Sequence, residues 1–164
     1  MLQRLYAACG ALAAVFLILM LLVILAQILT RWAGVTFPGA PDYAGYFMAA
    51  SSFFALAYAL EHRTHIRVHL LLSRLEGRAR WWLELWCLVI GTGLSWYFAW
   101  YAVRAVRISW QIGDVSQGQD ATPLWIPQLA MAVGTVVLAL AFLDHLLRVW
   151  RGGIAAVAEV ERTE

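Results

Sequence analysis

Four long apolar stretches, at about 5–29, 43–60, 81–103 and 124–143, take up most of the 164 residues. A bilayer core takes ~20 apolar residues as helix, with a range of about 17–25. Each stretch meets that length. With 63% hydrophobic residues, little chain is left for a water-soluble domain. The sequence predicts an all-α integral membrane protein of four transmembrane helices, forming a single membrane domain over 1–164. The first run follows Arg4 and could imitate a secretory signal. A signal's apolar region is about 7–15 residues, whereas this run is about 25 and ends in Arg31-Trp32, so an uncleaved first helix is expected.

Arginine sets the expected orientation. All 12 basic residues are Arg. With four spans, both termini and the middle loop share one side, which holds Arg4, Arg63, Arg67, Arg74, Arg78, Arg80, Arg148, Arg151 and Arg162. The other side holds Arg31, Arg104 and Arg107. Short loops rich in Arg stay in the cytoplasm, so nine against three places both termini there.

The loops have their own signals. Pro38, Gly39 and Pro41 exclude continuous helix between the first two spans. Asp42 stands where a helix N-cap is expected, and Arg31 closes the preceding span. A short loop should bring the two ends together, which suggests an Arg31–Asp42 ion pair at the outer interface. In the Arg-rich middle loop, Val68, Leu71, Leu72 and Leu75 fall on one helical stripe flanked by Arg67, Arg74 and Arg78. That pattern predicts an amphipathic helix at about 66–76 in contact with the lipid headgroups; packing against the protein itself would give the same pattern. The second outer loop, about 104–123, is the most polar outer segment and ends in Pro-rich Thr122-Pro123-Leu124-Trp125-Ile126-Pro127.

Small residues recur every four positions: Gly10 and Ala14, then Gly91, Ser95 and Ala99, then Ala130 and Gly134. Such faces let membrane helices approach closely. Together with a Trp-rich third span (Trp86, Trp96, Trp100), they suit packing against another membrane chain. Trp81, Trp82, Trp110, Trp125 and Trp150 fit interfacial belts.

Catalytic chemistry finds no residue set. No GxSxG, HExxH or P-loop occurs, so no enzyme activity is expected. His62, His65 and His69 share a helical spacing, but haem ligation within a membrane wants opposed histidines inside spans, and these lie in the middle loop. Cys9 and Cys87 read as small apolar residues. Neither a cofactor, a metal nor a nucleic-acid partner is expected. A transporter acting alone should show ionisable groups or broken helices at mid-span, and the apolar centres show almost none.

The order of three segments resembles the small membrane subunit of the tripartite ATP-independent periplasmic (TRAP) transporters. These are Arg31 with its Pro/Gly loop and Asp42; the stretch Ala57-Tyr58-Ala59-Leu60-Glu61-His62-Arg63-Thr64-His65-Ile66-Arg67-Val68-His69; and Thr122–Pro127 followed by Gly134. Asp42 stands where that family usually has Glu, and His69 where it has an acid. The resemblance implies a multi-pass protein of the bacterial inner membrane. It implies an accessory role in secondary, often sodium-driven, uptake of organic acids. The partners would be a large membrane subunit that holds the substrate and sodium sites, and a periplasmic substrate-binding protein. Arg31, Asp42 and His65 are the carried-over candidates, beside Arg67, Arg74 and Arg78 of the middle loop. A membrane-anchor subunit of a redox complex is the alternative reading, and a stand-alone four-helix channel or exporter a further one.

Overall fold

The computed structural model describes residues 2–61, 78–119 and 121–162. Its helices are α1 (Leu2–Trp32), α2 (Ala40–Glu61), α3 (Arg78–Ile112) and α4 (Trp125–Arg162). All four are long and apolar enough to cross a membrane. Each expected span lies within one of them, save that α4 starts one residue later, at Trp125. The helices are longer than the hydropathy alone suggests. α3 continues to Ile112, which puts Arg104 and Arg107 on its last turns and not in a loop, and α4 continues to Arg162. Hydropathy falls where Arg, Ser and Gln begin, yet these residues are tolerated in helices.

Glycine backbone geometry, instead, ends the helices. Gly34 has φ +75° and Gly113 φ +66°, a left-handed conformation that costs an L side chain about 1–2 kcal/mol. After α1, Val35 N–H donates to Thr30 O (2.9 Å) and Gly34 N–H to Arg31 O (3.2 Å); after α3, Asp114 N–H donates to Ser109 O (3.0 Å). These are Schellman closures, which satisfy the last carbonyls of a helix. α2 starts from Gly39 (φ +80°), whose carbonyl accepts from Asp42 and Tyr43. Gly39 is therefore the cap, and Asp42 is the third helical residue, not the N-cap expected from the sequence. Its charge still favours the positive end of the helix dipole.

The helices pack in the order α1–α2–α4–α3. The two central helices, α2 and α4, run parallel, and each has an antiparallel neighbour on its outer side. Every packed pair is joined by an aromatic ring or stem seated on a glycine. Gly10 of α1 faces the ring of Tyr58 in α2, Gly134 of α4 faces Phe53 of α2, and Gly91 of α3 faces Phe142 of α4. The small-residue faces are thus occupied within the chain: Ser95, Ala99 and Ala102 are buried in the α3–α4 seam. They do not form the free surface for a second chain that the sequence suggested. Tyr6, Cys9, Ala13, Phe54, Ala57, Val137 and Ala141 form the main core, with the Phe16 ring stacked on Phe54 at 5.8 Å.

The outer positions of α1 and α3 leave broad apolar faces uncovered. Leu21, Leu22, Leu25 and Leu29 of α1 are exposed, as are Trp86, Trp96, Tyr97 and Trp100 of α3, the last at 71%. Cys9 is buried on α1 and Cys87 exposed on α3, helices at opposite ends of the row, and both are free thiols.

Candidate functional site

Polar chemistry gathers where the helices begin and end, at the two faces of the bundle. At the end bearing the two short loops, residues 113–119 and 121–124 form a small hairpin. Ser116 N–H donates to Thr122 O (2.8 Å) and Leu124 N–H to Asp114 O (3.0 Å), with Val115 bridged to Pro123. Ala121 takes φ 47°, a left-handed conformation at the turn. Two bonds fasten this hairpin across the start of α2. Tyr46 OH donates to Ser116 Oγ (2.8 Å), and Gln119 N–H donates to Asp42 Oδ2 (3.3 Å). A Cβ at Gly118 would fall on the Asp42 carboxylate, so close docking here depends on glycine.

The expected Arg31–Asp42 ion pair does not form: Asp42 engages the hairpin backbone. Arg31 is exposed and lines a hollow of about 450 Å³ with Gln27, Thr36, Pro38 and Gln119. Asp42 lines a neighbouring hollow of about 340 Å³ with Gly39, Pro41 and Gly118. Gln119 belongs to both. The result is a pitted polar surface with a guanidinium on one side of the hairpin tip and a carboxylate on the other. Such a surface suits recognition of a polar protein, where a rim charge acts chiefly on encounter rate and register.

The opposite end, which carries both termini, holds a cluster that sequence reasoning missed. Glu61, the last residue of α2, lies 3.3 Å from His145 Nε2 and 3.5 Å from Arg148 Nη1. Arg148 also pairs with Asp144 one turn back on α4. Nearby, Trp81 Nε1–H of α3 reaches Val149 O at 3.5 Å, and Leu85 packs on Val149. Glu61 and His145 each expose only 13% of their side chains. Polar groups this deep persist when they pair. The cluster fastens α2 to α4 where the helices leave the membrane. The i,i+4 spacing of Asp144 and Arg148 was a legible signal, but the parallel α2–α4 packing that brings Glu61 to them was not.

Between these ends, the Ser51, Thr92, Ser95 and Thr135 hydroxyls donate to backbone carbonyls. Ser51 donates across to Ala13 O of α1 (2.9 Å). Thr92 donates to Leu88 O, Ser95 to Thr92 O, and Thr135 to Met131 O and Ala132 O. Among the described residues, no group of three His, Cys, Asp or Glu converges as a metal site. His65, Arg67 and Arg74, with the expected interfacial helix and the His62–His69 spacing, lie outside the described residues. Arg78 opens α3, and its side chain also lies outside them.

A family model described as "Tripartite ATP-independent periplasmic transporters, DctQ component" matches residues 20–152. No curated protein matches the chain. The matched region runs from mid-α1 to the last turns of α4 that cross the apolar layer, and it includes both the hairpin and the Glu61 cluster.

Proposed function

From the premise that the chain belongs to the DctQ family, the small membrane component of TRAP transporters, we propose that it braces the large membrane subunit and offers part of the docking surface for the periplasmic substrate-binding protein. It is a multi-pass protein of the bacterial inner membrane and works with other TRAP components. In this reading the large subunit holds the substrate and ion sites, and the transported compounds are organic acids, with sodium as the coupling ion. The observation that carries the reading is the division of labour along the helices. The described mid-span has its hydroxyls turned to backbone carbonyls, while the loop end is built and fixed as a polar surface. Desolvating an anion or sodium needs convergent polar groups at mid-membrane. Bracing needs broad apolar faces, and α1 and α3 present them.

In this proposal the loop end is periplasmic and both termini are cytoplasmic, following the nine-to-three Arg bias. Reporter fusions after Glu164 and within 115–120 should give opposite sides, the first cytoplasmic. A periplasmic signal from the C-terminal fusion would turn the docking surface the wrong way and end this reading.

Docking itself is tested at Gly118. Gly118→Val places branched carbons against the Asp42 carboxylate and should lift the hairpin from α2 without touching the α1–α2–α4–α3 seams. The variant should still co-purify with the large subunit. Uptake should then need several-fold more binding protein to reach half its maximum. An unchanged binding-protein requirement, with the complex intact, would remove the hairpin from the docking surface.

A further inference from the structure

A second feature lies on the membrane face of the molecule. Between α3 and α4, near the loop end, an open groove of about 590 Å³ has almost wholly apolar walls. Buried Ala132 and Val137 lie along it with half-open Leu129 and Val133. Trp110 and Trp125 meet edge-to-face at 4.7 Å at its upper rim. Arg107, one turn into the membrane from Trp110, is its charged member, and no acidic residue contributes to the walls.

Length, place and charge point to the occupant. From Trp125 to Val137 the groove follows α4 for ~18 Å at 1.5 Å per residue, close to one leaflet of a ~30 Å hydrocarbon core. A single acyl chain of one leaflet matches that length. Lipid tails are as apolar as the groove, so there is no hydrophobic gain from entering it; selectivity must come from the headgroup. An Arg at this depth extends toward the interface, to the level at which aromatic side chains settle, and its planar fork matches two phosphate oxygens.

We propose that the α3–α4 groove is a binding site for an anionic phospholipid, with one acyl chain between the helices and the phosphate on Arg107. The lipid fills the groove between α3 and α4 near the loop end. The site follows from the chain's membrane location and does not depend on the docking role.

The test is native mass spectrometry of the full chain released from mild detergent during titration with defined lipids. Phosphatidylglycerol should form a one-to-one adduct at about tenfold lower concentration than phosphatidylcholine or diacylglycerol, and glycerol phosphate, which lacks a tail, should form none. Arg107→Gln should erase the preference for phosphatidylglycerol while leaving weak tail binding. Val133→Trp, at a half-exposed wall position, should fill the groove and raise the required lipid concentration at least tenfold; Leu129→Trp serves the same purpose if that variant does not fold. Equal binding of phosphatidylglycerol and diacylglycerol would overturn the phosphate contact. Unchanged lipid binding by the folded Trp variant would overturn the groove, and loss of the large subunit from that same variant would show that a protein fills it instead.

Discussion

Gly134→Leu is expected to abolish recovery of folded protein, and Gly134→Ala to lower its stability in detergent by about 1–3 kcal/mol, the usual cost of overpacking. A Cβ at Gly134 would lie 2.7 Å from Phe53 Cβ, 2.8 Å from its carbonyl carbon and 2.9 Å from its oxygen. Two of these atoms are backbone of α2, which cannot move aside without opening the central seam. Ala gains about 1 kcal/mol of helix propensity over Gly, too little to offset that displacement. Gly10 and Gly91 are the comparison. A Cβ there would meet the rings of Tyr58 and Phe142, which can turn, so their Ala variants should lose less. Gly93, with nothing within 4 Å, should tolerate Ala or be stabilised by it. Thermal unfolding of the four purified variants should rank Gly134→Ala lowest and Gly93→Ala highest. Equal midpoints for those two would mean that the α2–α4 seam does not depend on close backbone approach.

Much of this was legible in the sequence because membrane helices are written in one dimension. Length and apolarity located all four spans, and the four-residue spacing of Gly91, Ser95 and Ala99 marked a close-packing face. That face turned out to be used inside the chain. Spacing reports which side of a helix is smooth, and it carries no information on which helix lies against it. The order α1–α2–α4–α3 was hidden for the same reason: consecutive helices are the natural expectation, and α2 instead packs in parallel on α4. That unseen contact explains the missed cluster, since Glu61 meets His145 and Arg148 only when α2 and α4 run side by side. At the other end Arg31 and Asp42 were both singled out as interface candidates, but their partnership was assigned from loop length. The hairpin takes the Asp42 carboxylate through Gln119, and its turn includes Ala121 in a left-handed conformation that no residue preference announces. The helix ends at Gly34 and Gly113 were marked by residue type, but the hydropathy boundary drew attention away from them.

The central claim is that these helices support transport without conducting it. The Ser and Thr hydroxyls that line the seams bond to carbonyls within the bundle, and the charged groups described around them sit at the two ends. An ion or carboxylate crossing the apolar layer needs partners there to replace its water, and an unpaired charge at the bilayer centre costs at least about 2.5–3.5 kcal/mol. α1 and α3 leave broad apolar faces uncovered, which the proposed role gives to the large membrane subunit. The direct measurement is uptake of labelled organic acid into liposomes under an imposed sodium gradient. One preparation holds this chain alone; the other holds the chain with the large membrane subunit and the periplasmic binding protein. No uptake above protein-free liposomes is expected from the chain alone, and gradient-dependent uptake is expected only from the full set. Sodium-driven uptake by the chain alone would contradict the account and return the transport path to these four helices.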